Sequence, residues 1–117
     1  EAGGRLLFSS DSPICDASPL MRIHALCTRQ RPDGTPENGW HPQQRLSVAE
    51  AIHGYTLAPA RAYGVDRELG SLSPGKRADC VLVDRDLFSI DPQDIKHARV
   101  DMTVFNGEIV YEREDQA

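Results

Sequence analysis

The chain has 117 residues, 39% of them hydrophobic and 26% charged, with a mean hydropathy of −0.46, which is the make-up of one compact water-soluble unit at most. Its net charge of −5 comes without a basic stripe, which argues against nucleic acid as a partner. Apolar runs fall far short of the ~20 residues a membrane span requires, and no charged-then-apolar leader opens the chain. Cys15, Cys27 and Cys80 are odd in number and lack metal-type C-x-x-C spacing, so they are read as reduced, packed thiols, which favours a reducing cytoplasm.

In chain order, Arg5–Ser9 sets Leu6, Leu7 and Phe8 in a row, the pattern of a strand buried on both faces. Ser9-Ser10-Asp11-Ser12-Pro13 then stops it with polar residues, leaving the Asp11 carboxylate at the strand's C-terminal end. Taken locally, Asp11 is an ordinary strand-end cap, because Asp and Ser both hydrogen-bond nearby backbone there. A helix is predicted from about Ser18 to Thr28, with Pro19 in its first turn and an apolar face of Leu20, Ile23 and Cys27 with Met21 and Ala25. It is predicted to lie against the preceding strand.

Residues 29–42 change to Arg, Gln, Pro, Asp, Gly and Asn around a single Trp40, the composition of a long irregular loop. Ser47-Val48-Ala49-Glu50 is a capping box and predicts a helix from Val48 to about Tyr55. Thr56 is placed to cap a second short helix, with Pro59 in its first turn and Gly64 beyond its end. The two helices are predicted to pack through Ala49, Ile52 and Tyr55 against Leu57, Ala60 and Tyr63.

Pro74-Gly75 suits the centre of a type II turn, and Cys80–Val83 after it reads as a short strand. Leu72 and that strand are expected to face one core while Lys76, Arg77 and Asp79 stay in water. Asp91-Pro92 opens a single helical turn to about Ile95. Val100, Met102 and Val104 alternate with Asp101, Thr103 and Phe105, and Ile109-Val110-Tyr111 follows across Asn106-Gly107, a strong hairpin signal. The tail from Glu112 is charged and expected to fray.

The four histidines, His24, His41, His53 and His97, have separations of 17, 12 and 44 residues and no i, i+4 pair, so each reads as a surface or packing histidine. His41, beside Trp40, is the one kept as a candidate substrate-side group.

The stretch Gly70–Asp84, with its Gly-Ser-Leu, Gly-Lys and Ala-Asp pairs and an apolar strand ending in Asp, resembles the C-terminal hallmark of the amidohydrolase superfamily. The likeness is nearest the YtcJ-like proteins of amidohydrolase family 3. It runs from Ser10-Asp11-Ser12-Pro13 through Trp40-His41-Pro42 and Tyr55-Thr56 to Asn106-Gly107. Enzymes of that family are several hundred residues long, and a complete β/α barrel alone takes about 250. The resemblance therefore implies an α/β C-terminal fragment of a metal-dependent (β/α)8-barrel hydrolase. Residues 1–66 would hold the last barrel strand and its helices, and residues 67–117 the strands of a small composite β-sandwich.

By the same resemblance, Asp11 is the acid that ends the last barrel strand, ligates a divalent metal, zinc by preference, and takes the proton from the attacking water. The family's other ligands, a His-x-His, a bridging acidic or modified lysine group and two further histidines, are not in this chain. The implied reaction is hydrolysis of a non-peptide C–N bond in a small-molecule amide or cyclic amide, by a parent protein of which this chain alone is inactive. The alternative is a non-catalytic folding or oligomerisation module. Its unpaired strand would seek the rest of the barrel or another copy of the chain.

Overall fold

The computed structural model describes residues 3–15 and 17–114. Helix α1 spans Pro19–Thr28 and opens with Pro19, whose missing N–H costs nothing in a first turn. It ends on Arg29 at φ 60°, where the Arg29 N–H closes onto the Ala25 carbonyl.

Helix α2, Val48–Tyr55, begins on the predicted capping box. The Ser47 hydroxyl oxygen accepts the Glu50 N–H at 3.2 Å, and the Glu50 carboxylate accepts the Ser47 N–H at 2.8 Å. Helix α3, Leu57–Ala62, follows at once, and Gly64 takes the left-handed conformation beyond it. Thr56, however, does not cap α3: its hydroxyl donates back to the Ile52 carbonyl at 2.8 Å, a bond the preceding turn offers at shorter reach.

Three strands form one antiparallel sheet in chain order: β1 Cys80–Val83, β2 Val100–Phe105 and β3 Glu108–Glu112. The β2–β3 hairpin turns on Asn106 at φ 51° and Gly107 at φ 84°, the pair of left-handed residues that a two-residue turn of this hand needs. Its tip is held by the segment before β1, through Asn106 N–H to Asp79 Oδ1 at 2.6 Å and Gly107 N–H to the Ala78 carbonyl at 3.1 Å. Asp79 is thus engaged rather than simply solvated. Lys76 is engaged as well: its ammonium donates to the Asp66 carbonyl and to Ser71 Oγ, tying together the loop that precedes the Pro74-Gly75 turn. That turn closes by Lys76 N–H to the Ser73 carbonyl with Gly75 at φ 88°, as type II geometry requires.

The core lies where α1 and α2 meet a 3-10 helix, Pro92–His97, which Asp91 caps by accepting the Gln93 N–H at 2.8 Å. Leu20, Ile23 and Cys27 of α1 close on Ala51 of α2, on Ile95 and on the flanking Leu87 and Ala98. Full burial of Ile23 or Ile95 is worth about 1.5–3 kcal/mol each. The predicted apolar face of α1 is therefore right at Leu20, Ile23 and Cys27, while Met21 and Ala25 are only half-buried and His24 takes the inner position.

Three further expectations fail. Arg5–Ser9 is not a strand: it runs extended without a sheet partner among the described residues, and Leu6 and Leu7 are exposed. A strand exists only through its neighbours' hydrogen bonds, and none of the described strands offers an edge there. Among the regular elements, α1 packs on α2 and on the 3-10 helix instead. Leu72, Val81 and Leu82 are exposed rather than joined in a core; Val81 and Leu82 are adjacent in β1 and point to opposite faces of the sheet, and both stay open among the described residues. In the α2–α3 pair Ala60 is buried, but Tyr63 lies 83% exposed and Ala49 also faces solvent.

Candidate functional site

Asp11 owes its position to the residues on either side. Three residues earlier, the Phe8 N–H donates to the Gly54 carbonyl of α2 at 3.0 Å, and the Phe8 ring lies 5.6 Å from that of Tyr55 between centroids. The ring rests on Gly54 so closely that a Cβ there would come within 2.3 Å of it, so glycine is what lets this segment dock. Beyond Phe8 the chain turns sharply. Asp11 sits at φ 50°, a conformation short polar side chains tolerate, with its N–H on Ser9 Oγ at 3.1 Å and its carbonyl accepting the Ile14 N–H at 2.9 Å. The Ser12–Pro13 peptide inside this turn is cis.

The backbone of Asp11 is thus fully used, whereas its carboxylate is exposed and makes no hydrogen bond or ion pair among the described residues. An open carboxylate is a suitable donor for a divalent cation, but it supplies one bond of the four that zinc takes. No three His, Cys, Asp or Glu side chains among the described residues come together to supply the others. The residues present fit a metal as one contributor to a shared ligand set and not as a complete site.

His41 belongs to a different assembly. It follows Trp40 at φ 52°, with its ring edge-on to the indole at 4.4 Å between centroids and its Nδ1 within 3.3 Å of Gln43 Nε2. Trp40 itself is knitted to the end of α1: its N–H donates to the Arg29 carbonyl at 2.8 Å, and the Arg29 Nε donates to its carbonyl at 3.0 Å. The Arg29 guanidinium stands 5.2 Å over the indole, a cation–π contact. Arg45 adds bonds to the Thr28 carbonyl at 3.1 Å and the Asn38 carbonyl at 2.9 Å. The stretch predicted as irregular over residues 29–42 is therefore an ordered loop, which runs into a single 3-10 turn at Pro42–Gln44. A shallow cleft of about 760 Å³ lies between Ala25, Arg29, Gln30, Pro36 and Trp40. A second, of about 720 Å³, is walled by Leu6, Phe8, Ala49, His53 and Arg61. Neither is lined by Asp11 or His41, and no described contact links those two residues.

Of the remaining histidines, His53 and His97 are exposed, and His24 is wholly buried. The three cysteines are free. Burial first, and the Glu50 charge second, push the Cys27 thiol up, which keeps it protonated and unreactive. The docking of Phe8 on Gly54 is absent from the sequence reading. Its one sequence signal is a glycine one residue from the end of a capped helix, where most residues would serve the helix better.

Similar chains are known. Protein LONG AFTER FAR-RED 3 of Arabidopsis thaliana is 35% identical over 106 residues, covering 91% of this chain and 18% of that protein. The N-substituted formamide deformylase of Arthrobacter pascens is 32% identical over 113 residues, 97% of this chain and 20% of the enzyme. A Bacillus subtilis protein named as the amidohydrolase YtcJ is 32% identical over 104 residues, 89% of this chain and 20% of its own length. The chain thus spans about a fifth of the length of the curated relatives it matches. The family profile described as "Amidohydrolase family" matches residues 1–111, and the chain belongs to that family.

Proposed function

We propose that this chain is the C-terminal part of a metal-dependent hydrolase acting on non-peptide C–N bonds of small amides or cyclic amides. Asp11 is its contribution to the chemistry. Family membership supports the reading, as does the likeness to a relative named for deformylating N-substituted formamides. The observation that carries it is the Asp11 carboxylate, held at a turn whose backbone bonds are all spent while the side chain itself stays open. A divalent metal, zinc on this reading, would be held by Asp11 together with ligands from the rest of the parent protein, and supplies Lewis-acid polarisation of the substrate carbonyl and of water. The Asp11 carboxylate accepts a proton from the attacking water and returns it to the departing nitrogen, so that the C–N bond breaks to an amine and an acid. Phe8 and Gly54 fix the approach of that carboxylate from one side, and α1 carries the chain away on the other.

On the same reading, residues 1–66 complete a β/α barrel and residues 67–117 a composite β-sandwich, in a protein of the reducing cytoplasm. A second reading is favoured by the exposed Leu6, Leu72, Val81, Leu82 and Val110: taken alone, this chain is a folding or association module whose apolar surfaces await the remainder of the parent or another copy.

In the full-length protein, Asp11→Asn keeps shape while removing the charge and the proton acceptor. Turnover is expected to fall by about 10²–10⁴-fold with the fold intact by circular dichroism. Zinc content, measured on the same samples, should fall as well. Near-normal turnover and metal content would remove Asp11 from the site. The 117-residue chain offered zinc and an amide is expected to hydrolyse nothing, and zinc-dependent turnover by it would overturn the reading of the chain as a part.

A further inference from the structure

His24 has no exposed surface, and neither ring nitrogen makes a well-formed hydrogen bond among the described residues, although the Gln93 side chain lies close enough to act on the ring. Buried polar atoms are nearly always bonded, so an orphaned imidazole is tolerated only while it is neutral. It lies on α1, which packs on the 3-10 helix Pro92–His97, the element that carries Ile95, the other large side chain that is wholly buried. The groups that face it from the 3-10 helix are Gln93, Lys96 and His97, and the last two oppose a positive charge on it. Asp91 is spent on the Gln93 amide and Asp94 is exposed. Glu50 of α2, the other element packed on α1, acts on Cys27 one turn further along. Among the described residues, no carboxylate stands ready to balance an imidazolium.

The seam between α1 and the 3-10 helix also anchors the loop that leads to Trp40. The Gln93 side-chain amide donates to Gln30 Oε1, and Lys96 Nζ donates to the Pro32 carbonyl at 2.9 Å. Gln30 in turn donates to the Pro36 and Glu37 carbonyls, at 3.0 and 2.6 Å. Parting the 3-10 helix from α1 therefore detaches residues 30–37.

We propose that His24 is an acid-sensitive latch: proton uptake by its ring opens the seam between α1 and the 3-10 helix and releases the loop at residues 30–37. Burial, the largest influence, holds the folded His24 below its ordinary value, against a weaker opposing effect of Gln93. Because the opened state binds the proton more readily, the latch is at full strength above about pH 6.5 and weakens as pH falls through the lower folded value.

Hydrogen–deuterium exchange of the full-length protein at pH 7.5 and pH 5, corrected for intrinsic rates, tests this. Peptides covering Pro19–Thr28, residues 30–37 and Pro92–His97 are expected to show more opening at pH 5, by up to about thirtyfold given an opened-state His of ordinary pKa. Peptides of the Asn106-Gly107 hairpin should not change. His24→Met is expected to abolish the pH response, whereas His97→Gln leaves it in place. Should His24→Met fail to fold, C2–H exchange of the individual histidines in the unaltered protein gives the answer: His24 should titrate below the ordinary histidine value. Equal protection at both pH values, a response that survives His24→Met, or a His24 that titrates at the ordinary histidine value would each overturn the proposal.

Discussion

The helical half and the sheet half of this chain are finished to different degrees. Where α1, α2 and the 3-10 helix meet, Ile23, Cys27, Ala51 and Ile95 close on one another and leave little apolar surface in water. In the sheet every residue of β3 is exposed, and Val81 and Leu82 of β1 face solvent at 57% and 59%. Hydrogen bonding within strands is local enough to form a three-stranded sheet, but a sheet gains most of its stability from a covered face. The contrast separates the surfaces of the chain that are sealed from those left open to solvent.

The sharpest way to break this comparison is a matched pair of truncations. Ile95→Ala leaves a cavity in the sealed region and is expected to cost about 2–5 kcal/mol, enough to threaten the fold. Leu82→Ala removes a side chain that already faces water, and should cost under about 0.5 kcal/mol in urea unfolding of this chain. In the full-length protein, a cost of Leu82→Ala that climbs toward that of Ile95→Ala would show the sheet face covered there. Equal costs in the isolated chain would dissolve the distinction between the two halves.

What was readable in advance follows the range of the interactions. The capping box at Ser47, the Pro19 start, the Asp91 turn and the Asn106-Gly107 hairpin each depend on a few adjacent residues, and each stands where the pattern puts it. Lys76 reaching back to Asp66, His24 turning inward and Phe8 settling on Gly54 join residues from 10 to 46 positions apart or depend on a whole packed interface, and local spacing carries no trace of them. The predicted strand at Arg5–Ser9 shows the converse. Three apolar residues in a row state what a segment would do if neighbours were supplied, and the described residues supply only the face of α2. The Asp11 turn was legible as a polar stop after that segment, though its open carboxylate became visible only once the backbone bonds were in place.

Gly54→Ala probes the contact that bridges the sealed region and the open N-terminal segment. A methyl group at 2.3 Å from the Phe8 ring cannot be accommodated unless the ring moves. Against this, alanine in a helix gains up to about 1 kcal/mol over glycine. If the docking matters, the clash outweighs that gain and the variant is less stable by about 1–3 kcal/mol. Phe8→Ala combined with Gly54→Ala should then recover part of the loss, because removing the ring removes the clash. A Gly54→Ala chain more stable than the original would mean that residues 5–9 contribute nothing to the fold.

A smaller effect than that of Gly54→Ala belongs to the cap of α2, on the solvent side of the sealed region. Ser47→Ala removes the acceptor for the Glu50 N–H and the hydroxyl that donates to Glu50 Oε2 at 2.7 Å, and is expected to cost about 1 kcal/mol. The backbone N–H of Ser47, and after it the hydroxyl, hold the Glu50 carboxyl below the usual carboxylate range. That contribution is present above the unfolded-state value and is lost as pH falls through the lower folded one, so it should weaken only in acid. The gap between the Ser47→Ala chain and the original should accordingly narrow without closing as pH is lowered toward 3, because the hydroxyl's bond with the Glu50 carboxylate is lost while its bond with the Glu50 N–H does not titrate. Separation that stays constant down to that pH would assign the stabilisation to the hydroxyl's bond with the Glu50 amide alone and leave the carboxylate no part in it.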